Sequence, residues 1–350
     1  MRPLLEDAIR SEDLPGLVVT AARSGEPPET VCAGCDVRGE ALAPDSLFPV
    51  ASVTKLATAL AVLRLADRGE LGLDDRLGRH VPEAAAAGAT LRSLLSHTAG
   101  LPGDPPEGAV PYRPGLTWPS VAAACVAVAP GPGAGAVVAY SNVGAGLLAV
   151  VVERRTGQPF THALRELVLA PLGLEAYLGE EPPRRPAALA DVTGEHQGTE
   201  LEPFNSPFWR SLALPWGGLV TTPADALALV RAFAGHPPGF LSETLRVEAI
   251  SNQTADRAGG IFPPYLWDRC PWGLGPELRG DKAPHLGAPG GNPDSFGHGG
   301  SSGCLVWADP AASVAWGFFG ARIAQSGWPA RVGPRIGDAV LALARGRAGG

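Results

Sequence analysis

The chain has 350 residues, a formal net charge of −7 and five cysteines. This length is enough to bury a sizeable core, in one large domain or in two interleaved subdomains. The net charge is negative, and the arginines are scattered among acidic residues. The sequence therefore has no cluster of positive charge that could bind a phosphate backbone, which argues against a nucleic-acid partner.

Apolar patterning indicates neither export nor membrane insertion. Glu6 and Asp7 lie where a signal peptide needs an uninterrupted apolar stretch. The most apolar window, 121–139, is broken by Pro130, Pro132 and several glycines. We therefore expect a cytoplasmic protein with no membrane partner, and the sequence leaves its oligomeric state open.

Cys32 and Cys35 form a CxxC pair within a predicted hairpin. A zinc site needs a second pair of ligands at suitable spacing, and the other three cysteines stand alone. A redox motif would open a helix after a strand, which this pair does not do. We interpret these two cysteines as structural, and the odd total of five cysteines in the chain fits a reducing compartment.

Turn residues and hydrophobic periodicity predict the elements in chain order. They are a short helix near 4–9, strands at 17–22 and 30–37, helices at 53–69, 91–96, 143–155, 160–169 and 223–234, strands at 303–307 and 314–319, and a closing helix at 334–344. A loop at 287–292 is predicted to run into the functional site. Residues 76–245 therefore resemble a mainly helical insert between the two sheet-forming segments 1–75 and 246–350.

The first chemical motif is the SxxK formed by Ser52 and Lys55 at the start of a helix. A spacing of three places hydroxyl and amine on one helix face, so the amine can accept the serine proton. Lys55 is one of only two lysines in a chain that otherwise uses arginine. Arginine cannot be deprotonated in a protein, whereas a buried lysine can lose its proton and act as a base. A surface lysine on an amphipathic helix is the simpler alternative.

Two further motifs carry polar groups that suit a nucleophilic site. Tyr140 and Asn142 form a YxN, in which a phenol can relay protons and an amide can hold a carbonyl or the lysine. His298, Gly299 and Gly300 precede Ser301 in a glycine-rich segment before an apolar strand, where the backbone can approach a substrate and supply an oxyanion donor. Taken alone, each motif also fits a structural tyrosine or an ordinary glycine-rich turn.

In this order the motifs resemble the serine β-lactamase and penicillin-binding-protein superfamily, in the branch of class C β-lactamases, D-aminopeptidases and family VIII carboxylesterases. The resemblance extends from about residue 15 to 340. Its other segments are Leu47–Phe48, Leu63–Leu73, Leu94–Pro102, Tyr140–Leu148, Thr156–Phe160, Pro171–Leu174 and Gly217–Leu219 with Thr222 and Asp225.

The resemblance implies an α/β (α+β) fold, with an antiparallel sheet flanked by the terminal helices, an inserted all-helical domain and a site in the cleft between them. It also implies the roles of the motif residues: Ser52 is the acylated nucleophile, Lys55 its base and Tyr140 the proton shuttle. Asn142 would contact a carbonyl or the lysine, and Ser301 would supply the second oxyanion amide. No metal or organic cofactor is implied.

The sequence differs from the class C β-lactamases at one position that affects substrate choice. Class C β-lactamases carry a lysine where this chain has His298, and histidine occurs there in D-aminopeptidases and some esterases. His97, in the family's LLSHTAGLP-like segment, is expected to be structural. We therefore predict a serine hydrolase of small esters or amides, with an acyltransferase, a β-lactamase or D-Ala-D-Ala peptidase, and a non-catalytic binding module as alternatives.

Overall fold

A computed structural model describes residues 1–346. The strands are β1 (Gly16–Arg23), β2 (Glu29–Gly34), β3 (Phe48–Pro49), β4 (Val138–Ala139), β5 (Ala176–Tyr177), β6 (Val220–Thr221), β7 (Gly259–Gly260), β8 (Leu266–Trp267), β9 (Glu277–Leu278), β10 (Phe296–Gly300), β11 (Cys304–Asp309) and β12 (Val314–Gly320). The α-helices are α1 (Arg2–Glu12), α2 (Thr54–Asp67), α3 (Leu91–Leu95), α4 (Trp118–Ala127), α5 (Asn142–Thr156), α6 (Phe160–Leu164), α7 (Pro207–Ser211), α8 (Pro223–Phe233), α9 (Glu243–Ala249) and α10 (Trp328–Gly346).

The central sheet has six strands in the order β2–β1–β12–β11–β10–β9, and every neighbouring pair is antiparallel. Successive side chains of a strand point to opposite faces. Leu17 and Val19 of β1 therefore pack in a core with the terminal helices α1 and α10, whereas Val18 and Ala22 belong to the larger core on the other face. The predicted antiparallel α/β architecture is confirmed.

Helix α2 carries the SxxK lysine and passes through the larger core. It contacts α5, α6, α8 and the π-helical turn Arg165–Leu169. The apolar residues that predicted this helix, Leu56, Leu60 and Leu63, are fully buried. Because almost every side of α2 is covered, its sequence is apolar around most of its circumference, as expected for a buried helix.

The position of helix α8 is relevant to the predicted division of the chain into a sheet domain and a helical insert. It lies within the segment 76–245, but it packs against β1, β11 and β12 of the central sheet. Helices α3, α4 and α6 instead pack on α5. We therefore propose that α8 belongs with the sheet, while the division at residues 75 and 245 itself stays a prediction.

Two predicted boundaries are wrong for identifiable reasons. The strand predicted to reach residue 37 ends at Gly34, which has φ of 77° and approaches Pro15 so closely that a Cβ would lie 2.3 Å from its carbonyl oxygen. The closing helix begins at Trp328, before Pro334, which lies inside it. Packing of Trp328 and Val332 beneath the sheet outweighs the local preference of proline to begin a helix.

The segment 287–292 is a loop, as predicted, but it contacts α10. The Gly290 N–H donates to Asp338 Oδ1 at 3.0 Å, and Ala288 packs against Gly337 closely enough to leave no room for a Cβ there. Its position follows from these contacts with the C-terminal helix, which a local glycine- and proline-rich pattern does not encode.

The remaining sequence predictions concern membranes and metals. Across residues 1–346, no helix combines the length and apolarity needed to cross a bilayer. Cys32 lies on β2 and Cys35 follows it, both half-buried with free thiols. In the same part of the chain, no three or more His, Cys, Asp or Glu side chains are grouped so as to hold a metal ion.

Candidate active site

Ser52 lies in the 3₁₀ turn Ala51–Val53, immediately before α2. The Leu219 N–H donates to Thr54 Oγ1 at 3.1 Å, which ties the start of α2 to the segment beside β6. Ala51 has φ of 43°. This left-handed conformation costs a non-glycine residue about 1–2 kcal/mol. Such strain persists where surrounding contacts fix the backbone, as they do around this serine.

Lys55 directs its amine at the serine. Its Nζ donates to Ser52 Oγ at 3.2 Å and to the Trp216 carbonyl at 3.1 Å. The side chain is buried, with 4% of its surface exposed. Burial lowers the pKa of Lys55 well below its usual range, and the negative charge of Asp104 opposes that change. The lysine is therefore placed to be a neutral amine beside a hydroxyl.

Tyr140 closes the third side of this group. It follows β4, and its N–H donates to the Gly260 carbonyl at 3.1 Å. Lys55 Nζ lies 4.6 Å from the centroid of the phenol ring. Burial raises the pKa of Tyr140, while the nearby Ser52 hydroxyl acts in the opposite direction. The phenol therefore keeps its proton at neutral pH.

Asn142 is the first residue of α5, but its side-chain amide faces Asp104 rather than the lysine. Asn142 Nδ2 donates to Asp104 Oδ1 at 2.6 Å, and the Asn142 N–H donates to the Gly103 carbonyl, also at 2.6 Å. The sequence predicts that Asn142 contacts either a carbonyl or Lys55. Among the described residues, its side chain forms no hydrogen bond with Lys55. Asn142 Oδ1 is buried without a hydrogen-bond partner there.

His97 contributes to the position of the YxN motif. It is buried with a positive φ of 58°, and its Nδ1 accepts the Ser141 N–H at 3.2 Å. Its carbonyl accepts the Ala139 N–H at 2.8 Å, and its ring centroid lies 4.7 Å from that of Tyr140. These contacts support the structural role that the sequence predicts for His97.

Strand β10 carries the third motif. His298 is 2% exposed, and its Nδ1 lies 2.7 Å from the Gly299 carbonyl. Burial, reinforced by the charge of Lys55, lowers the pKa of His298 to about 4. The ring is therefore neutral at pH 7, and its Nε2 is buried without a partner among the described residues.

The end of β10 lies against the serine-bearing segment. A Cβ on Gly300 would lie 2.4 Å from the Val50 carbonyl oxygen, so only glycine permits this approach. Ser301 follows as an exposed turn residue, and its carbonyl accepts the Ala324 N–H at 2.8 Å. An oxyanion site formed by the N–H groups of Ser52 and Ser301 needs this contact between the two segments.

Sequence reasoning missed three residues that complete the site. The Trp216 carbonyl accepts from Lys55, the carboxylate of Asp104 orients Asn142, and the buried Trp272 packs against the ring of Tyr140 at 5.8 Å. Trp216 and Asp104 border segments of the family resemblance, which was the available signal. No local pattern marked Trp272.

The site thus joins a hydroxyl, a buried amine and a protonated phenol within hydrogen-bonding or ring contact, beside a neutral imidazole. This arrangement can move a proton from hydroxyl to amine and donate another from the phenol to a leaving group. A carbonyl compound that reaches Ser52 Oγ would be acylated onto the serine.

Comparison with known proteins gives consistent matches. The family described as Beta-lactamase matches residues 1–323. Penicillin-binding protein 4 of Amycolatopsis lactamdurans is 32% identical over 316 residues, which are 85% of this chain and 77% of that protein. Esterase EstB of Burkholderia gladioli is 32% identical over 292 residues, 71% of this chain and 73% of its own. The D-amino acid amidase of Ochrobactrum anthropi SV3, solved with L-phenylalanine amide, has a TM-score of 0.75 at 21% identity, covering 99% of this chain and 98% of that one.

Proposed function

Because the chain belongs to the β-lactamase family of serine hydrolases, we propose that it hydrolyses small esters or amides through an acyl-enzyme on Ser52. The observation that carries this proposal is the contact of Ser52 Oγ with a buried lysine amine at 3.2 Å. The esterase relative, 32% identical over 71% of this chain, supports an ester as substrate.

In the proposed reaction, the neutral amine of Lys55 takes the proton of Ser52 while Oγ attacks the substrate carbonyl. Backbone N–H groups of Ser52 and Ser301 stabilise the oxyanion. Tyr140 donates its proton to the leaving oxygen or nitrogen and recovers one from the Lys55 ammonium. Water then attacks the acyl-enzyme, and its proton returns to Ser52 through the same groups.

The substrate class rests on His298. A fixed cation at this position would give a substrate carboxylate a charge-assisted hydrogen bond worth about 1.5–3 kcal/mol, or roughly ten- to a hundredfold in binding. Since the pKa of His298 is lowered to about 4, mainly by burial, that contribution is missing at neutral pH. The neutral ring favours short-chain esters and amides over β-lactams and D-alanyl-D-alanine peptides, which present a carboxylate.

The first experiment tests the nucleophile. Wild type is incubated with p-nitrophenyl acetate, and the intact mass is measured; we expect an acetyl increment that Ser52→Ala abolishes together with turnover. Ser120→Ala, which removes an exposed hydroxyl of α4, serves as the control and should behave as wild type. Labelling that persists in Ser52→Ala would exclude this nucleophile, and a wild type with neither a label nor turnover would favour a non-catalytic binding module.

The second experiment tests substrate choice. We expect kcat/KM at about pH 7.5, where an unperturbed histidine is mostly neutral, to be higher for p-nitrophenyl butyrate than for nitrocefin. His298→Lys should shift that ratio toward nitrocefin. If wild type hydrolyses both substrates with equal kcat/KM, and His298→Lys leaves the ratio unchanged, the protein is better described as a β-lactamase and this proposal fails. Addition of small alcohols or amines with product analysis distinguishes hydrolysis from acyl transfer.

A further inference from the structure

The second lysine of the chain is also buried, in a group of charged residues that the proposed reaction does not use. Lys282 is 1% exposed, and its Nζ donates to Glu277 Oε1 at 2.9 Å and to the Pro271 carbonyl at 3.0 Å. His285 Nε2 lies 3.4 Å from the same carboxylate oxygen. Glu277 belongs to β9, at the edge of the central sheet.

The hydrogen bonds define the charges of this group. The Gly287 N–H donates to His285 Nδ1 at 2.8 Å, so the ring proton is on Nε2 and faces Glu277. Burial acts to raise the pKa of Glu277, but the Lys282 ammonium, together with the His285 ring, outweighs it and holds that pKa well below its usual range. The group is therefore a buried carboxylate paired with an ammonium.

A single indole joins this pair to the candidate active site. Lys282 Nζ lies 5.1 Å from the ring centroid of Trp272, which is fully buried. The same indole contacts His97 at 5.0 Å, Tyr140 at 5.8 Å and His298 at 5.9 Å between centroids. Its Nε1–H is used internally, since it donates to the Gly275 carbonyl at 3.0 Å.

We propose that Lys282 is a positioning residue, whose ammonium holds Trp272 and thereby keeps Tyr140 and His298 in place. This inference rests on the proposed function, because it assigns those two rings to the reaction. A buried ion pair is weak evidence for a gain in stability, since its desolvation offsets much of its attraction. Attraction between an ammonium and an indole face depends on position. Lys282 Nζ has two such contacts, at 4.7 Å from the ring centroid of Trp267 and 5.1 Å from that of Trp272, and of these two rings only Trp272 in turn has ring contacts with Tyr140 and His298.

The test separates position from folding. Lys282→Met retains the length of the side chain but leaves the buried Glu277 carboxylate without its ammonium partner, which is expected to destabilise the fold. The double variant Glu277→Gln with Lys282→Met removes both charges and should regain much of that stability. For each protein, kcat and KM are measured with p-nitrophenyl butyrate, and active sites are counted from the burst of p-nitrophenol.

We expect both variants to lose about 10- to 100-fold in kcat per active site, the order of effect of misplacing a reacting group, with KM within a few-fold of wild type. Asp36→Asn is the matched control, because Asp36 is a buried carboxylate whose partners include Arg38 and Ala188 and none of the site residues. It should lower the melting temperature and leave kcat per active site within about twofold of wild type, as expected for a distant site.

The outcomes are distinguishable. A double variant with wild-type kcat would overturn the positioning role, because it would mean that only the unpaired charge had mattered. A Lys282→Met protein that folds with wild-type kcat would overturn it as well. If wild type itself gives neither a burst nor turnover, the proposed function fails, and the positioning role fails with it.

A second readout responds to charge and not to packing alone. The titratable and charged groups around His298 are Lys55, Glu277, Lys282, His97 and Tyr140, and its Nδ1 contacts the Gly299 carbonyl. Since Lys282 lowers the pKa of His298 and Glu277 raises it, NMR titration should find this pKa higher in Lys282→Met and lower in Glu277→Gln. Shifts in the same direction, or none, would contradict coupling of this pair to the site.

Discussion

Replacing Lys55 by arginine tests whether the site needs an amine or only a cation. Lys55 Nζ contacts Ser52 Oγ at 3.2 Å and is almost fully buried, so its proton affinity decides whether it can act as a base. A guanidinium stays protonated in proteins. We therefore expect Lys55→Arg to lose about 10²- to 10⁴-fold in kcat/KM, the usual contribution of general-base catalysis, and to be nearly as inactive as Lys55→Ala.

The pH dependence gives this prediction a direction. The reaction needs the neutral amine, so kcat/KM rises with pH through the Lys55 pKa and then levels off. Because burial lowers the pKa of Lys55, this rise should occur well below pH 10.5. Asp104 opposes the lowering, so Asp104→Asn should move the rise to lower pH. Asp104 is exposed, so solvent screens its charge, and the move should be small compared with the lowering that burial causes.

The assay is kcat/KM for p-nitrophenyl acetate between about pH 5 and 9, corrected for spontaneous hydrolysis. Glu107→Gln is the control, since it removes an exposed acid from the same stretch of chain and should leave the profile unchanged. If Lys55→Arg keeps more than about a tenth of the wild-type rate, Lys55 is not the base. An equal shift in both acid variants would show that only overall charge matters.

Three further predictions use other parts of the site. Gly300→Ala should slow acylation by about 10²-fold, because the added Cβ would displace the segment around Val50. Gly88→Ala is the control, since the space around Gly88 is open, and burst kinetics measure acylation in both variants. The pKa of His298 is about 4 when folded and near 6.5 when unfolded, so unfolding binds a proton and stability rises with pH across this interval. Urea unfolding should find that this rise, up to about 3 kcal/mol, is reduced in His298→Asn, and an unchanged slope would refute the assignment. Chelators should leave turnover unchanged. A loss of turnover that added zinc restores would indicate a metal site and would support a metal role for Cys32 and Cys35.

The fold was predictable where the local pattern is long and periodic. Strands β1, β11 and β12 and helices α2, α5 and α8 each carry a clear apolar repeat, and their predicted bounds agree within about one or two residues. The two-residue strands β3 to β8 could not be found this way, because each is defined by pairing with a distant segment. Strands β9 and β10 and helices α4, α7 and α9 were also missed.

The site divides in the same way. Ser52 and Lys55 are brought together by helical spacing alone, so one stretch of sequence was enough to expect their contact. Their proximity to Tyr140 depends on β4 and β7, which no local signal connects to α2. The orientation of Asn142 toward Asp104 depends on a side chain 38 positions earlier, so no local pattern indicated it, and the predicted role of Asn142 toward a carbonyl or the lysine stays a prediction.

The two lysines show how the surroundings of a side chain, and not its type, decide its chemistry. Both are almost fully buried in a chain whose other basic residues, histidine aside, are arginines. Lys282 has a carboxylate oxygen at 2.9 Å, so its positive charge is compensated where it lies. Within residues 1–346, the hydrogen-bond partners of Lys55 are a hydroxyl and a carbonyl, and Asp104, the carboxylate that acts to raise its pKa, lies at an exposed position. Without a partner to compensate the charge, burial favours the neutral amine, which is the form that can take a proton from Ser52.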